Sequence, residues 1–237
     1  MNVFNDYQSI LAAGINAGYV FRGFTEISKT KKTIILRHDV DTSLISALQI
    51  AKIEFKNNIK STFFVMLRSP FYNLFSRSNN EIVKKILTLG HDIGLHYDEG
   101  YYPEKDNLQT LISKEVDILE SNFNTKVKVV SFHQPSKKIL RDEIQIKQIN
   151  TYDTKFFKDI KYISDSNMQF HEDPIELVNS DKFRVIQILT HPIWWVNKGG
   201  NTIEKFKSVI KENFYKEQNQ IFSTESAYGD KKEISIN

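Results

Sequence analysis

Thr33-Ile34-Ile35-Leu36-Arg37-His38-Asp39-Val40-Asp41, residues 33–41, is the stretch on which the reading of this chain turns. Its first half is short, apolar and β-branched, as expected of a buried strand, and its second half is a run of ionisable groups. A strand that ends in such a cluster delivers it to one edge of a sheet. The arrangement recurs downstream. Residues 61–67 (STFFVML) read as a second buried strand, residues 91–95 as a third ending in His96, and residues 128–132 as a fourth ending in His133. Further strand candidates lie around 151–154, 162–164 and 185–189, the last running into Thr190 and His191.

Helical stripes fill the intervals. Leu44, Leu48, Ala51 and Phe55 mark one face of a helix; Ile82, Ile86 and Leu89 mark another that stops at Gly90; Leu108, Ile112, Val116 and Leu119 mark a third. Phe4, Tyr7, Ile10, Leu11 and Ile15 predict an N-terminal helix over 4–18, a final helix is predicted over 203–214, and the tail after Phe222 is polar. Strands alternating with helices predict an α/β fold with a parallel sheet and right-handed crossovers, either an open doubly wound sheet or a barrel. The chain contains no GxGxxG, GxxxxGK[ST] or GxSxG pattern, so the usual signs of the open sheet are missing and the barrel gains.

The 237 residues fit one domain spanning 1–237. With 40% hydrophobic and 26% charged residues the composition is that of an ordinary globular protein. The 32 basic and 29 acidic residues are interspersed and leave a formal charge of only +3, which argues against nucleic acid as a partner. The absence of cysteine excludes disulfides and thiolate ligands, so any metal must be held by His and carboxylate groups. The N-terminal segment lacks a basic start followed by an apolar run, and no stretch approaches the ~20 apolar residues of a membrane span. The expected compartment is therefore the cytoplasm, with no transmembrane segment.

Asp39 and Asp41 stand two apart, so in extended chain both leave the same face. Two carboxylates so close stay ionised cheaply only with a cation or a division of labour between them. The competing reading makes Asp41 or Thr42 the cap of the next helix, which leaves His38 and Asp39 without a role. His96, His133 and His191 each directly follow an apolar strand, and imidazole with carboxylate suits a borderline metal such as zinc. His91 begins its strand, and His171 lies in a polar stretch; neither is given a catalytic role.

Taken in order, Arg37-His38-Asp39-Val40-Asp41, Ser61-Thr62-Phe63-Phe64, Gly90-His91-Asp92-Ile93-Gly94-Leu95-His96, Phe132-His133-Gln134-Pro135, Tyr162-Ile163-Ser164-Asp165-Ser166 and Leu189-Thr190-His191-Pro192 resemble the motifs of the NodB-type polysaccharide deacetylases, carbohydrate esterase family 4. The resemblance implies a distorted (β/α)7 barrel of the polysaccharide deacetylase type and a divalent metal, zinc first. It implies Asp39 as catalytic base, Asp41 and His96 as metal ligands, and His191 as the acid that protonates the leaving amine.

The chain departs from the family pattern at two places. Gly100 stands where another metal-binding histidine is usual, and His133 stands where an arginine usually orients the base. Together they nominate His133 as third ligand, with Asp98 as the alternative, and Asp165 as a carboxylate behind His133. Trp194 and Tyr97 are candidates to contact a sugar, against a packing role for large aromatics. The expected activity is metal-dependent N-deacetylation of an acetamido group on a sugar or glycan precursor, as in surface-polysaccharide biosynthesis, with an acetylated amino-sugar as partner. The alternatives are a non-catalytic carbohydrate-binding relative on the same barrel, or a hydrolase of another amide.

Overall fold

The computed structural model describes residues 6–27, 30–102, 107–141 and 144–224. The chain divides into two compact units, residues 1–196 and 197–237. Among its described residues the first contains eight strands: β1 (Val20–Phe21), β2 (Thr33–Val40), β3 (Thr62–Val65), β4 (Asp92–Asp98), β5 (Val129–His133), β6 (Ile149–Asn150), β7 (Lys161–Ser164) and β8 (Val185–Thr190). Its helices are α1 (Tyr7–Asn16), α2 (Leu44–Lys56), α3 (Arg77–Thr88), α4 (Leu108–Phe123), α5 (Lys137–Leu140), α6 (Thr154–Phe157), α7 (Pro174–Asn179) and α8 (Pro192–Val196). The second unit carries α9 (Thr202–Thr224).

Every strand pairing is parallel, in the order β6-β5-β4-β3-β2-β8-β7, with β1 added beside β2. β2 is an interior strand of this order, between β3 and β8, and all eight of its residues are buried. That is why its sequence is an unbroken apolar run and not an alternating one.

The sheet is strongly curled. Arg37 on β2 hydrogen-bonds Ser131 on β5, although β3 and β4 lie between them. In a flat sheet strands three places apart would be separated by roughly 14 Å at about 4.8 Å per step, beyond the reach of these side chains. The curl is also closed from the other side: Gln187 on β8 donates to the carbonyl of Phe156, in the helix that follows β6 (2.6 Å). The result is the distorted (β/α)7 barrel, open between the end strands β6 and β7, which do not pair among the described residues.

Phe24, Ile35, Phe64, Val129 and Phe156 form an apolar cluster within the curl. Along β2, Arg37 and Asp39 follow Ile35 on the same face, so the lumen changes from apolar to charged toward the C-terminal edge. Parallel α/β folds place their sites at that edge.

Several local expectations shift. α1 forms despite Gly14, because a Cβ there would lie 2.7 Å from Phe21 Cζ and 2.9 Å from Ile34 Cδ1; the glycine permits close docking on the sheet. Phe4 and the tail beyond residue 224 lie outside the described residues. The strand expected over 151–154 is instead β6 at Ile149–Asn150: the Asn150 side chain accepts from Tyr152 N (2.9 Å), turning the chain into α6. α9 extends ten residues past the predicted end at 214, through a stretch of Lys, Glu and Gln without Gly or Pro.

Gly94 on β4 leaves the space that the Phe64 ring fills: a Cβ at this position would meet Phe64 Cε1 at 2.4 Å and the Val129 carbonyl at 3.1 Å. Gly94→Ala should therefore cost about 1–3 kcal/mol of unfolding free energy in a urea titration, as overpacked cores do. Adding Phe64→Leu should recover part of it.

Candidate metal centre

Asp39 lies near the C-terminal end of β2 with Asp41 just beyond it, His96 lies two residues before the end of β4, His133 ends β5, and β8 runs directly into His191. Asp41, His96 and His133 offer one ligand atom each, all within 4.8 Å of one another, the one such group of three among the described residues. His96 Nε2 lies 3.0 Å and His133 Nδ1 3.6 Å from Asp41 Oδ1. Two ligands about 2.1 Å from a tetrahedral zinc would be roughly 3.4 Å apart, which these spacings bracket. Asp41 Oδ1 is buried yet accepts no aligned hydrogen bond. A carboxylate oxygen faced by two imidazole nitrogens, with neither aligned on it as a hydrogen-bond donor, is an arrangement a shared divalent cation would satisfy.

The backbone that presents Asp41 is held in place: Tyr72 OH donates to the Val40 carbonyl (2.7 Å) and Ser69 Oγ to the Asp41 carbonyl (3.0 Å). The N-terminus of α2 is capped by Ser43, whose hydroxyl accepts from Ser46 N (3.1 Å). Asp41 is thus not spent as a cap. Burial would raise its pKa, but His133, His96 and His191 together hold it well below the usual carboxylate range. His133 is raised in turn, chiefly by Asp41 and against its own burial.

His96 Nδ1 lies 3.1 Å from Ser131 Oγ, which leaves Nε2 directed at Asp41. An outer partner of this kind would fix the ring of a ligating imidazole. Asp39 is held at both oxygens by Arg37, Nε to Oδ1 at 2.9 Å and Nη2 to Oδ2 at 2.7 Å, with both side chains buried. Arg37 Nη2 also donates to Ser131 and to Tyr152 OH (3.0 Å). Burial opposes ionisation of Asp39, and Arg37 overcomes it and keeps its pKa below the usual value.

His191 Nε2 is 3.6 Å from Asp41 Oδ2, and its Nδ1 is 2.6 Å from Asp165 Oδ1. Asp165 is fully buried; it also accepts from the His191 backbone N at 3.0 Å and from Trp195 Nε1 at 2.8 Å. Burial pulls the His191 pKa down, but Asp165, helped by Asp41 and Asp39, carries it up to about 9.

Four sequence expectations need correction. Asp165 stands behind His191, not His133, because β7 lies beside β8 and away from β5. Asp98 does not join the cluster; its Oδ1 accepts from Gly100 N at 3.0 Å in the turn after β4. Tyr97 leaves β4 opposite His96, is 1% exposed and stacks on Tyr102, so it packs and offers no face to a sugar. Trp194 is likewise buried, 6.4 Å from the His191 ring between centroids, and packs against the site. The arginine beside Asp39 was missed: the resemblance directs attention to residue 133, whereas Arg37 supplies it from β2 itself, two positions before Asp39 on the same strand face.

No protein-family model matches the sequence, and no curated protein matches it either. Among solved structures the chain is similar to a CE4 family pseudoenzyme from Bacillus anthracis, at 21% identity and TM-score 0.44 over 84% of this chain and 64% of that one. It is also similar to a family 4 carbohydrate esterase from Bacillus anthracis, at 12% identity and TM-score 0.45 over 88% and 86% of the two chains. A third is a family 4 acetyl xylan esterase from Clostridium thermocellum in complex with a cobalt ion, at 14% identity and TM-score 0.42 over 80% and 90%. The chain spans just under two thirds of the pseudoenzyme's length. These distant likenesses leave function to be argued from the chain's own residues.

His133→Ala should lower zinc affinity about 10-fold or more in a chelator competition, while Asp98→Ala leaves it unchanged. Removing the guanidinium in Arg37→Met leaves Asp39 buried and unpaired and should cost roughly 3–5 kcal/mol of stability by denaturant titration. Because the folded pKa of Asp39 is depressed, the contribution of this pair is complete above about pH 4 and lost as pH falls through the lowered value. Acid sensitivity of the wild type in that window should diminish in the variant.

Proposed function

We propose that this chain is a metal-dependent N-deacetylase acting on an acetamido group of a sugar or short glycan precursor. The observation that carries the reading is the junction, at one barrel edge, of a three-ligand cluster with a carboxylate held by arginine and an imidazole held by carboxylate. A binding protein has no need of both a poised base and a poised acid. A divalent ion at Asp41, His96 and His133, zinc in the first instance, would supply Lewis acidity toward the acetamide carbonyl.

The chain's own residues divide the proton traffic. Asp39, ionised at neutral pH because Arg37 occupies both its oxygens, takes a proton from the water that attacks the carbonyl carbon. His191, kept in its protonated form by Asp165, gives a proton to the amine nitrogen as the carbon–nitrogen bond breaks. The products are acetate and a free amino-sugar. The layering of exposure suits this order: the Asp41, His133 and His191 side chains are 25%, 28% and 15% exposed, while Asp39 is 4% exposed and shielded from bulk water.

No helix among the described residues is long and apolar enough to cross a membrane.

Zinc-loaded protein should release acetate from N-acetylated amino-sugars or their nucleotide-linked forms. Asp39→Asn should keep its zinc and lose turnover by about 10²–10⁴-fold, whereas Asp41→Ala should lose the metal itself. Stoichiometric zinc with no acetate release from any acetylated sugar, together with measurable glycan binding, would establish the non-catalytic alternative instead.

A further inference from the structure

A buried polar network on the outer side of β2 has no part in the chemistry described so far. Glu54 on α2 is fully buried and accepts from Ser61 Oγ (2.6 Å), from Tyr7 OH, and from His38 Nε2 (2.8 Å). The second His38 nitrogen, Nδ1, lies 2.7 Å from Thr190 Oγ1. His38 and Thr190 are register partners on the adjacent strands β2 and β8, and both are fully buried. The next residue after His38 is Asp39, and the next after Thr190 is His191. One side-chain bond therefore clamps the two strands at the positions immediately before the base and the acid.

A second connection starts from the same carboxylate. The Tyr7 ring sits edge-on to Trp195, with centroids 5.4 Å apart, and Trp195 Nε1 donates to the Asp165 carboxylate that holds His191. Burying a carboxylate among hydroxyls and imidazoles is expensive, and an apolar core would stabilise the α2–sheet contact more cheaply. What a fully bonded polar network adds is a unique geometry.

We infer that Glu54, His38 and Thr190 form a positioning relay that fixes the separation of Asp39 and His191. The inference rests on the base and acid roles proposed above. The three residues touch no substrate; they act through the strand ends, where an error near 1 Å is costly in rate.

Thr190→Val removes the hydroxyl and keeps the shape, and Thr190→Ser restores the hydroxyl. With zinc-loaded protein, Thr190→Val should lower kcat for acetate release about 10- to 100-fold, with KM and zinc content unchanged, and Thr190→Ser should recover most of it. Glu54→Gln should lower kcat in the same direction. A merely structural role would reduce stability without altering kcat per folded molecule. In parallel, the His191 imidazole ¹H–¹⁵N resonance, assigned by its loss in His191→Gln, should shift in Thr190→Val and return in Thr190→Ser. Wild-type kcat and an unshifted resonance in folded Thr190→Val would overturn the relay. If the wild type releases no acetate, the deacetylase reading fails, and the resonance series still decides whether Thr190 positions His191.

Discussion

A guanidinium and a carboxylate, both from β2 and both buried, set the terms for the rest of this structure. Arg37 and Asp39 are two residues apart, so strand alternation puts both side chains on one face, where they pair. Burying such a pair costs less when the guanidinium is bonded further. Ser131 on β5 and Tyr152 in the turn after β6 both accept from Arg37 Nη2, while Nη1 has no hydrogen-bond partner; these two bonds require the sheet to curl until those strands face β2. The apolar cluster of Phe24, Ile35, Phe64, Val129 and Phe156 lies within the same curl, and the polarity of the lumen then rises toward the strand ends.

The imidazoles at that edge are individually oriented. His96 is turned by Ser131 and His191 by Asp165, each through Nδ1, so that in both rings Nε2 faces Asp41. Ser131 is shared between the two halves of the site, touching Arg37, Asp39 and His96. Its hydroxyl links the orientation of the proposed base to that of a proposed ligand, which makes a small residue in mid-strand as important to the geometry as the charged groups. His38 and Thr190 do the corresponding work outside the barrel wall, joining the strand that carries Asp39 to the one that leads into His191.

Much of this was legible in the residues. The apolar runs before Asp39, His96, His133 and His191 are local signals, since a strand buried on both faces must be apolar throughout and must stop where polar groups begin. β1 was not legible, because two residues carry no periodicity, and β6 was displaced because the Asn150 turn overrides the β-propensity of the residues that follow it. Tyr97 shows a subtler failure: its neighbour His96 faces the lumen, so strand alternation alone already directs Tyr97 to the other face. Asp165 was assigned to the wrong histidine because its distance along the chain from 133 and from 191 says nothing of which strands are neighbours.

By itself, then, the sequence determined that this is an alternating α/β chain, that its ionisable residues gather at strand ends, and that any metal must be held by oxygen and nitrogen. These follow from hydrophobic pattern, alternation and composition, all properties of short stretches of chain. Only the tertiary structure decided which of those residues meet. That Arg37 serves Asp39 while reaching Ser131, that Asp165 serves His191, and that His38 reaches Thr190 depend on strand order and on the curvature of the sheet. Those are set by packing over the whole barrel, and no local stretch of the chain encodes them.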